Sequence, residues 1–188
     1  MVNCPTCGQP MPDTEKAPRA VAWGAHVSQT FKDRVFWICD QLGMQPDDLM
    51  SCMAWESGET FSSSVKNMAG SGAVGLIQFM PSTAASMGTS VAALAKMTPE
   101  DQLRYVYKYF RPWAGKLRNL GDCYMAILWP KGVGKSDDYV LFDGAVSPTA
   151  YRQNAGLDVN RDRHVTRGEC IAKVNAKKTK GMLPQHYA

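Results

Sequence analysis

From Ser28 to Glu169 the chain is punctuated in one recurring way: Ser, Thr, Asp or Pro opens a stretch of apolar residues at helical spacing, and Gly or Pro closes it. Phe31, Val35, Ile38, Cys39 and Leu42 recur at steps of three and four, which predicts a helix from about Ser28 to Leu42. Pro46, Asp47 and Asp48 put a proline and two carboxylates where a helix start favours them, and Gly58 stops the segment that ends in Glu56. Thr98 to Asp101 open another helix, through Leu103, Val106, Tyr107 and Phe110 to Pro112. Further helices are expected at Pro81, from Asp122 to Trp129, from Ser147 to Asn154, and after a capping box of Thr166 and Glu169. Residues 69–76, AGSGAVGL, are too glycine-rich for a helix and predict a tight loop or hairpin. The expected fold class is α+β, mainly α-helical, with little room for sheet.

A length of 188 residues suits one main domain with small appendages. We divide it into a Cys-x-x-Cys knuckle and linker (1–20), a main domain (21–157), and a loop with a basic helix or tail (158–188). The hydrophobic content of 45% excludes a disordered chain. No acidic residue follows Glu169, whereas Lys173, Lys177, Lys178 and Lys180 do. This basic tail suits nucleic acid, anionic lipid or an anionic cell envelope, or equally a solvated helix end that favours cations. No basic segment followed by an apolar one opens the sequence, and no apolar run is long enough to span a bilayer. Synthesis in a cytoplasm is therefore expected. In that setting the six cysteines read as thiols rather than a disulfide framework, with Cys39, Cys52 and Cys123 in the core.

Leu49, Cys52, Met53 and Glu56 fall at i, i+3, i+4 and i+7, so the Glu56 carboxylate shares an apolar stripe. Desolvation raises a carboxyl pKa, and the negative end of the helix acts in the same direction. A proton kept near neutral pH is what a general acid for glycosidic cleavage requires. The alternative is a helix-end glutamate turned to solvent or paired with a lysine.

The following residues bear on that choice. ESGETF (Glu56 to Phe61) and NMAGSGAVGLIQFMPSTA (Asn67 to Ala84) resemble the first two motifs of lytic transglycosylases and goose-type lysozymes. The resemblance implies that Glu56 is the catalytic acid and that Ser57, Gly75, Leu76, Ile77, Gln78, Phe79, Met80 and Pro81 line a sugar cleft. Glycines let backbone approach a sugar, and Gln78 offers both donors and acceptors. The family's assisting serine corresponds to Ser62, Ser63, Ser64 or Ser71. CYMAILWPKGVGKSDDYVLF (Cys123 to Phe142) resembles the third motif, with Trp129 where the family has Tyr and Pro130 where it has Asn. Tyr107, Tyr124 and Trp129 are candidate cleft aromatics, since aromatic faces stack on sugars. The resemblance spans roughly Asp33 to Ala155 and has a bacteriophage-endolysin flavour. It implies a lysozyme-like fold that cleaves the β-1,4 bond between N-acetylmuramic acid and N-acetylglucosamine in peptidoglycan. The expected route is transglycosylation, with a hydrolytic muramidase or a virion-associated wall-cutting protein as alternatives. The partners are then peptidoglycan strands, and through the basic tail an anionic envelope. No specific nucleic acid is implied, and a monomer is expected. Access to the wall from the cytoplasm would need a holin-type pore or delivery by a virion.

Two segments suggest metals. DVNRDRHVTRGE fits the spacing of a calcium loop, with Asp158, Asn160 and Asp162 at alternating positions, the His164 carbonyl, and Glu169 twelfth. Arg163 stands where the turn glycine belongs, and an Asx-rich turn without an ion fits equally. Cys4 and Cys7 make half of a zinc knuckle with no second pair, so no closed zinc site is expected and no cofactor is required. Two rival classes follow: a zinc-knuckle nucleic-acid-binding protein, and a calcium-responsive module that binds glycan without cutting it. The first leaves ESGETF and GLIQFMP unexplained.

Overall fold

A computed structural model describes residues 19–66 and 70–188. Its helices are α1 (Gln29–Leu42), α2 (Pro46–Glu56), α3 (Pro81–Ser86), α4 (Val91–Leu94), α5 (Pro99–Phe110) and α6 (Leu120–Leu128). Strand β1 (Val140–Asp143) follows, then α7 (Pro148–Asn154), strand β2 (His164–Thr166) and α8 (Arg167–Gly181). The protein is mainly helical with a small two-stranded sheet. No helix among the described residues is long and apolar enough to cross a membrane.

The helix boundaries follow from local chemistry. Ser28, Thr98 and Thr166 each accept a hydrogen bond at the side-chain oxygen from the N–H three residues on, satisfying a donor that the first turn leaves open. Glu169 completes the capping box of α8. α6 starts earlier than its pattern suggests because Asn119, not Asp122, is its cap: the Asn119 Oδ1 accepts from the Asp122 N–H at 2.9 Å. α4 is absent from the sequence expectation, being a single turn capped by Ser90.

α2 is the central element. Leu49 to Ala54 are all buried, with α1, α6 and α8 packed around them. A helix apolar on every side belongs in the interior. Burial of Leu49, Met50 and Met53, each fully enclosed, stabilises the fold by about 1.5–3 kcal/mol per side chain. α8 contributes Cys170 and Val174, both fully buried, so the boundary drawn at 157/158 falls inside one continuous core. The expected open basic tail is also revised. Lys178 Nζ lies 2.7 Å from the buried Asp48 carboxylate of α2, and Lys177 and Lys180 each reach Glu59 at 2.6 Å. Three of the four tail lysines therefore hold α8 to α2 and the turn after it.

The sheet lies where no strand was expected. β1 and β2 pair antiparallel, Val140 with Thr166, Phe142 with Val165 and Asp143 with His164, with an irregularity between Val140 and Phe142. The glycine-rich segment forms only isolated bridges, Lys66 with Val74 and Val74 with Phe79. The 140s could not be read as strand because VLFD is too short to alternate and its partner lies more than twenty residues away. Arg167, at the β2–α8 junction, is buried between the Asp122 and Asp137 carboxylates and ties this corner to α6.

Candidate active site

Glu56 is the last residue of α2, and the chain leaves it through a sharp helix stop. The Glu59 N–H donates to Ala54 O at 2.7 Å and the Gly58 N–H to Trp55 O at 3.3 Å, the paired bonds of a Schellman motif. Gly58 has φ +62°, the left-handed turn that this stop requires and that glycine supplies without strain. The stop fixes the end of α2 so that Glu56 continues the stripe of Leu49, Cys52 and Met53, all fully buried.

The Glu56 residue is partly exposed, yet protein crowds around its carboxyl. Burial pushes its pKa up to about 8, with no charge or hydrogen bond from the described residues acting on it. Tyr109 of α5 and Tyr124 of α6 stand close enough to feel its charge. Burial first and Glu56 second raise both phenols, Tyr109 to about 12. Both rings are fixed through their hydroxyls: Tyr109 donates to Ala126 O at 2.8 Å, and Tyr124 accepts from Trp55 Nε1 at 2.9 Å. The result is a protonated carboxyl at neutral pH between two neutral phenols, with no carboxylate partner. Such a group donates a proton.

The glycine-rich segment reaches the same corner through Tyr109, whose ring meets Phe79 edge-on with centroids 6.3 Å apart. Its shape is imposed by Gln102, a fully buried amide of α5. Gln102 Oε1 accepts from the Leu76 N–H at 2.7 Å, and its Nε2 donates to Ser63 O and Leu94 O, both at 3.0 Å. Gly75 lies so close that a Cβ there would sit 2.3 Å from Gln102 Oε1. Gln78, at φ +51°, donates from Nε2 to Gly75 O at 3.1 Å and Val65 O at 3.3 Å, while its buried Oε1 has no partner. Of the six described non-glycine residues with left-handed backbone, Glu59, Phe61 and Gln78 lie in the turn after Glu56 and the glycine-rich segment, and Trp23, Arg161 and Arg163 lie elsewhere. Each costs about 1–2 kcal/mol, strain of the kind that gathers at working sites.

The expected cleft residues divide on this geometry. Tyr124 stands beside Glu56 but is itself buried, Gln78 is half-buried with its amide turned onto backbone carbonyls, Met80 is 44% exposed, and Ser71 is exposed with its Oγ accepting from the Ala73 N–H. Ser57 is corrected: it is buried, its Oγ accepts from the Phe61 N–H at 3.0 Å, and its role is to shape the turn. Leu76 and Phe79 are core residues, both buried where the 75–78 turn closes on the Val74–Phe79 bridge. Gly75 is packed against Gln102 and offers no open backbone. Tyr107 packs on Trp37 of α1 and Trp129 on Phe142 of β1, away from the acid. Among the candidate serines, Ser63 is buried and donates to Met97 O, while Ser62 and Ser64 bond to each other at the surface. Residues 67–69, which begin the second motif, lie outside the described residues, as do Cys4 and Cys7.

Sequence reasoning missed Tyr109, Gln102 and Trp55. Tyr109 lies two residues from Tyr107, roughly 200° around the helix and on the opposite flank of α5. Gln102 was legible, since Gln102, Val106 and Phe110 fall at i, i+4 and i+8, and an amide on an apolar stripe calls for buried partners.

The 158–169 loop turns its oxygens on itself. Asp158 accepts from the Arg161 and Arg163 N–H groups and the Tyr151 hydroxyl, Asp162 from Asn160 Nδ2 and the His164 N–H, and Glu169 from Val159, Asn160 and Thr166. Arg163 takes φ +70°, the left-handed form of the glycine it replaces. Asp158, Asn160, Asp162, His164 and Glu169 are not gathered as ligands: no group of three or more His, Cys, Asp or Glu among the described residues is placed to hold a metal ion.

No protein-family model matches this chain, and neither does any curated protein.

Proposed function

We propose that this protein is a peptidoglycan-cleaving enzyme of lysozyme-like type, with Glu56 as the acid that protonates the leaving oxygen between N-acetylmuramic acid and N-acetylglucosamine. The observation that carries the reading is the buried, unpartnered carboxyl at the end of α2, protonated up to about pH 8. The motif resemblance of residues 56–84 supports the choice of substrate, and the exposed Met80 with the half-buried Tyr109 supplies an apolar and aromatic edge for a sugar.

The proposed route is transglycosylation. A hydrolase needs a second carboxylate, about 5 Å from the acid as nucleophile or about 6.5–9.5 Å away to activate water. Glu59 is the one other acidic residue between Glu56 and Glu100, and Lys177 and Lys180 hold its two oxygens. Glu56 first gives its proton to the glycosidic oxygen, releasing the sugar that bore it. As carboxylate it then takes the proton of the muramoyl C6 hydroxyl while that oxygen bonds to C1. The acid is restored and a 1,6-anhydro end is left, with no water consumed.

Purified peptidoglycan cleared by the protein, and 1,6-anhydromuramoyl ends in the digest by mass spectrometry, are the expected results. Reducing muramoyl ends alone would make it a hydrolase and return attention to Glu59. No clearing by folded protein would sink the enzymatic reading. In a phage setting, an endolysin acting on the wall after release from the cytoplasm fits this chemistry, as does a virion-borne enzyme.

A further inference from the structure

The cations of this protein divide into paired and unpaired sets, and the division does not follow the sequence's most obvious basic stretch. Residues 102–136 hold seven Lys and Arg against one acid, Asp122, which is buried and taken by Arg167. Arg104, Lys108 and Arg111 lie on or just past α5, Lys116 and Arg118 precede α6, and Lys131 and Lys135 follow it. All seven are exposed, and none forms an ion pair with a carboxylate among the described residues. Lys177, Lys178 and Lys180 are, by contrast, engaged with Glu59 and Asp48.

The fold gathers these cations. Asp122 accepts from the Gly134 N–H at 2.8 Å and the Arg118 N–H at 3.4 Å, so the chain entering α6 and the chain returning after it meet at one carboxylate. Arg118 and Lys135 therefore share one end of α6. Four of the cations lie over half-buried aromatic rings: Arg104 on Tyr105 at 5.1 Å, Lys116 on Trp113 at 6.0 Å, Lys131 on Trp129 at 5.9 Å and Lys135 on Tyr139 at 5.7 Å. Those rings seat the charged heads on the surface without neutralising them. α5 and α6 also carry Tyr109 and Tyr124, the two phenols beside Glu56.

From this we infer that the α5–α6 surface, not the C-terminal tail, binds the stem-peptide carboxylates of the peptidoglycan strand and makes the protein select peptide-bearing strands over uncharged glycan. The inference rests on the proposed substrate. The disaccharide backbone of that polymer is uncharged while its peptides carry several carboxylates, so a strand drawn into the site offers its negative charge to the rim. Exposed cations without carboxylate partners act together on such a polyanion, the more so at low salt.

The test is sedimentation of the Glu56→Gln protein with purified sacculi, or with chitin, an uncharged β-1,4 polymer of N-acetylglucosamine, over a range of NaCl concentration. Expected are binding to sacculi that weakens steadily with salt, little binding to chitin, and about tenfold weaker sacculus binding for the quadruple variant Arg104→Glu, Arg111→Glu, Lys116→Glu, Arg118→Glu with an unchanged circular-dichroism spectrum. Should that variant misfold, Arg111→Gln with Lys116→Gln is to show a shallower salt dependence. Equal, salt-independent binding to sacculi and chitin would overturn the inference, and so would loss of binding on Lys177→Gln and Lys180→Gln but not on the α5–α6 changes. Tighter binding to vesicles of anionic phospholipid than to sacculi would assign the surface to a membrane and overturn it as well. Binding as expected by a protein whose wild type clears no peptidoglycan would retire the enzymatic reading and leave the surface standing.

Discussion

At the end of α2 one carboxyl is enclosed by Tyr109, Tyr124 and apolar side chains and accepts nothing from the described residues. In the 158–169 loop three carboxylates lie within twelve residues, and all six of their oxygens accept hydrogen bonds from the loop and its neighbours. The first arrangement raises a pKa. The second lowers it, as at Asp158, where the Tyr151 hydroxyl and backbone N–H groups outweigh burial. A carboxyl kept from its partners stores the capacity to give a proton away, whereas one given every partner only fixes the chain. Residue type does not separate the two regions; the donors around each group do.

The largest effect that would break this comparison is at Glu56 itself. Glu56→Gln keeps the shape and removes the proton, so clearing should fall by about two to four orders of magnitude with an unchanged circular-dichroism spectrum. Activity near wild type in that variant would make the acid corner as purely structural as the loop.

The pH profile sharpens the contrast next. Clearing should hold through neutral pH and fall as pH rises through about 8, where Glu56 loses its proton. Stability has the same sign. The folded pKa lies above the ordinary 4.5, so the native state binds more protons between the two values and loses stability as pH rises from 4.5 to 8. One pKa unit corresponds to about 1.4 kcal/mol, an upper limit here because the residue is partly exposed. Asp158 acts oppositely: with its pKa depressed, its contribution is present above the ordinary 3.8 and is lost as pH falls through the folded value. Melting temperatures of wild type and Glu56→Gln should therefore diverge toward pH 8 and coincide near pH 4. Parallel curves would contradict the buried acid.

Gln102→Ala tests the support of the corner rather than its chemistry. Leaving the Leu76 N–H and the Ser63 and Leu94 carbonyls without their partner should destabilise the protein by about 1–3 kcal/mol and loosen the glycine segment. Denaturant unfolding reads this directly, and a neutral result would mean that the segment holds its shape without the amide.

The smallest expected effect is calcium at the loop. Its oxygens already have donors, so millimolar calcium should leave the melting temperature unchanged and give no calorimetric heat. A rise in melting temperature, lost in Asp158→Ala, would show that the loop exchanges its internal hydrogen bonds for an ion.

Much of this was legible in the sequence, and the limits are physical. α1, α2, α3 and α5 announce themselves because caps, prolines and spacing act within a few residues, and Glu56 could be placed on its stripe by the same local rule. Ser57, Leu76 and Phe79 were misread as cleft residues because a motif names positions without giving side-chain direction. The β1–β2 pairing and the grip of Lys177, Lys178 and Lys180 on Glu59 and Asp48 join residues far apart in the chain, and no local pattern encodes them. Tyr109 shows how fine the limit is, since a shift of two residues along α5 exchanges one flank for the other.

The packing of α8 on α2 also sets an order of events during synthesis. A chain leaves the ribosome N-terminal end first, at about 5–20 residues per second. α2 is complete by Glu56, but Cys170 and Val174 complete its core, and the lysines that steady Asp48 and Glu59 come more than a hundred residues later. For several seconds the helix that bears the acid exists with its apolar stripe open on the side that Cys170 and Val174 later cover. The core beneath the acid is thus closed only after α5 and α6 have set Tyr109 and Tyr124 beside it.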